Sequence, residues 1–396
     1  MNMIFISAKQ CSWWVALLLL MTGCVEAFEP KVTSSSSSFL VVDGAINTQG
    51  ITTIRLSRTA GLAQNGQAPV EGKARVFIEE EGGQQYALTE GVSGIYKSAV
   101  LALPAGRQVR LRFSTTGGRE YVSDFTSAKA TPPIDSITWR PTTQGLQIYV
   151  NAHDETQQAR YYRWTYDETW EFTSAYQSVL EFRNGVFLPR QEDIFHCWGT
   201  EQPSAIKVGT TVKLGQDVVS QQPITLLPPN STKLRYKYSI LVKQYAQTLE
   251  EYQYWEALRK NTENIGTLFD PLPTQLTGNV HAVLDPAEQV IGFVGAQSVT
   301  EKRIFIAKTE LPASWKFATG YETCLLDTIP RPSAPAIPPP PTEAQVLDFF
   351  RSGAPFPVDV FKISGDPNNR NYYLFSSPDC VDCRKRGTNV RPSFWK

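Results

Sequence analysis

Thiols carry the first chemistry legible in this chain. Lys9, the apolar run Trp13-Trp14-Val15-Ala16-Leu17-Leu18-Leu19-Leu20 and then Met21-Thr22-Gly23-Cys24 have the order of a secretory signal. The run is too short to remain as a membrane span. Thr22 and Gly23 suit the small-residue pocket of the lipoprotein peptidase, so Cys24 is expected to carry a diacylglyceryl group and to become the first residue of the mature chain. Residues 1–23 then read as a lipoprotein signal peptide and 24–38 as a lipidated tether, because Ser34-Ser35-Ser36-Ser37-Ser38 cannot bury apolar surface.

With Cys11 in the signal and Cys24 acylated, Cys197, Cys324, Cys380 and Cys383 remain. Cys380-x-x-Cys383 would be a redox pair if it opened a helix in a βαβ unit, which the surrounding pattern does not offer. Zinc would need a second closely spaced ligand pair, and Cys197 and Cys324 stand far apart. An even set in an exported chain therefore predicts two disulfides, with all three pairings open. The three histidines, His153, His196 and His281, lack metal-ligand spacing, so no metal or other cofactor is expected. Neighbouring acids such as Asp167-Glu168 point to opposite faces of a strand and form no acid/base pair. No nucleophile elbow or phosphate loop occurs, and the chain is not expected to be an enzyme.

Binding chemistry is a better prospect. Tyr161, Tyr162, Trp164, Tyr166, Trp170 and Phe172 form the densest aromatic stretch, and Trp255 lies on the one strong helical pattern. Alternation puts half of the stretch inside a core, and the rest is available for stacking. Trp164, Trp170 and Trp255 are taken as candidate contact residues, since tryptophan is favoured at interface hot spots. Lysine plus arginine equals aspartate plus glutamate at 38 each, which argues against nucleic acid as a partner.

The elements that must hold these residues are mainly strands. From 39 to 130 short alternating runs, such as Thr53-Ile54-Arg55-Leu56-Ser57-Arg58 and Val109-Arg110-Leu111-Arg112-Phe113, are separated by glycine turns and read as an N-terminal β-sandwich. Thr131-Pro132-Pro133 is a stiff break. Alternation then resumes over 131–328 as a second, larger β-sandwich, to which Gln289-Val290-Ile291-Gly292-Phe293-Val294 is assigned as a strand. A helix is inserted near 249–261, where Thr248 and Glu251 suggest a capping box and Leu249, Tyr252, Trp255 and Leu258 share a face. Residues 329–396 follow as a proline-rich strap, a short helix from 343 to about 351, and a Cys-x-x-Cys tail whose terminal Phe394-Trp395 is expected to dock on the second domain. The expected fold is two immunoglobulin- or fibronectin-like sandwiches with one helix and a disulfide-stapled extension.

Several pieces in shared order resemble one family. They are the Gly23-Cys24 site with its Cys-x-Glu start, the strand Phe39-Leu40-Val41-Val42-Asp43-Gly44, the restart Pro133-Ile134-Asp135-Ser136-Ile137, Glu168-Thr169-Trp170-Glu171, and the ending Cys380-Val381-Asp382-Cys383-Arg384 through Arg391-Pro392-Ser393-Phe394-Trp395. The chain resembles a family of unknown function among Bacteroidetes outer-membrane lipoproteins. Glu26 and Glu29 are loosely similar to the acidic export signal of such surface lipoproteins. The resemblance implies an outer-membrane location, lipid-anchored and on the cell surface or the periplasmic face, and a TonB-dependent receptor as partner in nutrient uptake. A surface adhesion or envelope-assembly lipoprotein is the alternative.

Overall fold

The computed structural model describes residues 38–60, 68–263, 276–330, 340–366 and 368–396. Cys24, the signal, most of the tether and prolines 332–339 lie outside the described residues. The chain is mainly β, as expected.

The alternation of the first third builds one antiparallel sheet. Ile51–Arg58 turns Thr52, Ile54 and Leu56 inward, and Gln108–Ser114 does the same with Val109, Leu111 and Phe113. The sheet comprises eleven strands, and both ends of its path come from much later in the chain. Val280–Ala282 pairs antiparallel with Glu120–Ser123, whereas Val290–Ile291 and Ala296–Gln297 run parallel to Leu40–Asn47. The strand read at 289–294 thus belongs to the first sheet and not to the second set. Its burial explains this: Val280, Val290, Val294 and Ala296 complete the first core. The return is possible because its backbones touch. A Cβ on Gly278 would lie 1.7 Å from the Gly292 carbonyl oxygen, and one on Gly292, at φ +135°, would lie 2.1 Å from the Val42 carbonyl oxygen. Asn279 locks the crossing, its amide donating to the Val294 carbonyl at 3.0 Å and its side-chain oxygen accepting the Val294 N–H at 2.8 Å.

Beyond the Thr131-Pro132-Pro133 break, two sheets face each other across a second core. One holds Ile134–Pro141, Leu146–His153 and Val218–Leu227. The other places His196–Glu201, Tyr161–Thr173, Lys237–Gln247 and Val299–Ala307 side by side, with Lys207–Thr210 also on Tyr161–Thr173. Leu146, Ile148 and Val150 pack against Tyr162, Trp164, Tyr238 and Ile240. The break itself is fastened: the Pro132 carbonyl accepts bonds from Gln244 and Thr300.

Helix Leu249–Glu263 begins at Thr248, whose hydroxyl accepts the Glu251 N–H at 3.2 Å. The expected face is corrected. Leu249 is exposed, while Glu251 and Tyr254 are buried, because the Glu251 carboxylate turns inward to Gln297 instead of back to the cap.

The tail is more than a strap. Asp327–Ile329, Asn371–Ser376 and Phe356–Lys362 form a small sheet. Val346 and Phe350, from helix Glu343–Arg351 with its Thr342 cap, pack with Leu180 and Tyr373. Disulfides Cys197–Cys383 and Cys324–Cys380 fasten this extension to the second sandwich, one of the three possible pairings. Among the described residues no helix is long and apolar enough to cross a membrane.

Candidate binding face

Strand Tyr161–Thr173 positions the site. Tyr162, Trp164 and Tyr166 face the second core, so Tyr161, Arg163, Thr165 and Asp167 look outward. Cross-strand register sets Arg163 beside Tyr245, Thr165 beside Lys243, and Lys243 beside Glu301. Lys243 donates to Asp167 at 2.8 Å, and despite burial this partner keeps its ammonium above the usual lysine range. Towards one end of this face a hollow of about 560 Å³ is lined by Asp167, Thr169, Arg303 and Phe394. Towards the other a groove of about 350 Å³ lies between the first sheet and the second, lined by Thr53, Arg163, Tyr245, Gln297 and Glu301.

The C-terminus docks at the first hollow. Trp395 is buried, its ring 5.6 Å from Phe305 and 6.4 Å from Trp198. The Arg303 guanidinium lies 3.6 Å from the centre of the Phe394 ring.

The three tryptophans meet different fates. Trp164 is 1 % exposed and donates from Nε1 to Gln244 at 2.8 Å, so it is a core residue and no contact residue. Trp170 covers Gly199, where a Cβ would lie 2.5 Å from the indole, and carries the Lys233 ammonium 5.0 Å from its ring. That ammonium is committed to Glu168 and Glu201 at 2.5 and 2.6 Å, while Tyr238 donates to Glu168 at 2.6 Å. Burial disfavours the Lys233 charge, but the two carboxylates outweigh it and raise its pKa. Trp255 does not line the outer groove itself but backs one of its walls, its ring 4.4 Å from the Arg163 guanidinium, with Tyr245 at 4.6 Å. Composition and motif do not single out Arg163. Its signal is a charged residue inside the aromatic run, on the face opposite Trp164.

Behind the groove sits a buried polar knot. Gln297 donates to Glu251 at 3.3 Å, and Gln247, Trp255 and Arg163 close around the same carboxylate. A Cβ on Gly295 would lie 2.2 Å from that carboxylate, so glycine makes room for it. Burial pushes the Glu251 carboxyl up, against the opposing pull of Arg163, Gln247, Gln297 and Trp255. A carboxyl raised by folding contributes stability in acid, and the contribution is lost as pH rises through its folded value. Glu251→Gln, which cannot ionise, is therefore expected to raise the melting midpoint more at about pH 8 than at about pH 4. Equal shifts at both pH values would show that Glu251 does not titrate upward.

The histidines are dispersed. His153 pairs with Asp135 at 2.8 Å, which raises its pKa, His196 with Asp193 at 3.2 Å, and His281 with Asp124 at 3.3 Å. Among the described residues no three His, Cys, Asp or Glu side chains converge on a metal position.

The sequence matches the family described as a domain of unknown function, DUF4249, over residues 25–303, and the chain belongs to that family. The matched stretch takes in the whole first sheet with its return, and ends within Val299–Ala307. A comparison with curated proteins finds no match.

Proposed function

We propose that this chain is an outer-membrane lipoprotein, acylated on Cys24, that serves as the non-enzymatic partner of a TonB-dependent transporter, capturing substrate or covering the barrel mouth. The observation that supports this reading is the outer face of the second sandwich. It offers two hollows of ligand size on a scaffold fastened by two disulfides. A lipid tether would hold such a face near the barrel at high effective concentration. Its ionisable groups are largely committed to one another, as in Lys243–Asp167 and Lys233–Glu168, which suits recognition better than proton transfer.

The test is a mild-detergent pull-down of the native protein from its own membranes. A TonB-dependent receptor should be recovered with it, and a Trp255→Ala variant should recover less. Recovery of no barrel protein, under conditions that preserve known transporter complexes, would favour the adhesion or envelope-assembly reading.

A further inference from the structure

We propose that the groove between the first sheet and the outer face of the second sandwich binds a small hydroxylated carboxylate, such as a sugar acid, with Arg163 as its anchor. The inference rests on the reading of this face as a binding surface. It does not depend on the transporter, which the pull-down tests separately.

Arg163 differs from most of its kind in this molecule. Arg58, Arg110 and Arg112 are each held by a glutamate at 2.6–2.7 Å. The Arg163 side chain makes no ion pair at contact distance, although the buried Glu251 behind it feels its charge, and its Nε is buried without a hydrogen-bond partner. What holds it is aromatic: the rings of Tyr245 and Trp255, each within 4.6 Å of the guanidinium. Such stacking fixes the plane of the guanidinium and leaves its two terminal nitrogens to donate to a planar two-oxygen acceptor. The groove it lines, about 350 Å³, matches the space a small ligand needs.

The other walls narrow the chemistry. Gln297 is 1 % exposed, and its side-chain oxygen has no partner, although its nitrogen bonds Glu251. A buried acceptor left unsatisfied is costly, and a ligand hydroxyl would satisfy it. Asn47 and Thr53 add polar groups along the first-sheet wall. Glu301 lines the same groove and Lys243 is already paired with Asp167, so the groove does not favour a ligand of higher negative charge. One carboxylate with several hydroxyls fits this set better than phosphate does.

The experiment uses the purified full chain, with glucuronate, glucose and inorganic phosphate as probes, read by calorimetry and by saturation transfer from protein to ligand. Glucuronate is expected to bind, glucose to bind at least about tenfold more weakly, and phosphate to compete poorly. Arg163→Gln should weaken glucuronate at least about tenfold, and Arg163→Lys less, since the charge remains while the fork is lost. If Arg163→Gln does not fold, Thr53→Trp serves instead, because it fills the groove from an exposed strand position and should abolish binding. Three results would overturn the proposal: no glucuronate binding up to about 10 mM, equal binding of glucose or phosphate, or glucuronate affinity unchanged in the folded variants.

Discussion

Replacing Cys197 and Cys383 together by alanine is expected to lower the unfolding free energy by about 2–5 kcal/mol, the usual cost of removing a native disulfide. The two residues stand 186 apart in sequence, so the bridge removes a large loop-closure entropy from the unfolded chain. Both are fully buried, among Phe172 and Tyr321, and their loss also loosens the packing around them. The cross-strand bonds between Trp198 and Thr388 then have to hold the tail with less help. Urea unfolding under non-reducing conditions measures the effect, with tryptophan fluorescence reporting release of Trp395 from Phe305 and Trp198. A midpoint equal to that of the parent would mean the bridge is not formed in solution.

Trp164→Ala is expected to cost about 3–5 kcal/mol, in the range for emptying a large buried aromatic site. Its indole stacks on Tyr162 with ring centres 5.7 Å apart and fills the space between the two sheets of the second core. Truncation also leaves the Gln244 side-chain oxygen without its donor, although the Gln244 nitrogen keeps its bond to Pro132. Trp255→Ala, at a half-buried position, should cost distinctly less. Comparable losses for the two variants, by thermal or denaturant melts, would contradict the assignment of Trp164 to the core and of Trp255 to the support of Arg163.

The contrast between these tryptophans shows how far the sequence could be read. Alternation over Tyr161–Thr173 identifies two faces of a strand, yet says nothing about which face meets a second sheet, so the sequence alone leaves Trp164 a candidate contact residue. Cysteine number and compartment predicted bridges, but their pairing depends on where the tail lies in space. Helix Leu249–Glu263 was legible as an element. Its orientation was not, since a glutamate on the buried side breaks the amphipathic rule on which the reading relied. The groove is read least easily of all. Arg163 comes from one strand, the Trp255 that backs it from a helix and Gln297 from a two-residue strand, and only the folded chain brings them together.

The return of residues 280–297 to the first sheet also has a consequence for how the molecule comes to exist. The first strands to emerge during synthesis lack the partners for both ends of their sheet until the chain has been made past residue 297. Until then Leu40–Asn47 and Glu120–Ser123 present open edges that can recruit other chains. Most of the second sandwich lies between the start and the closure of the first, and its edge strand Val299–Ala307 follows directly after, so the two share one folding history. Cutting the gene after the first seven strands would yield an unfinished object, and the natural unit of expression reaches at least as far as Gln297.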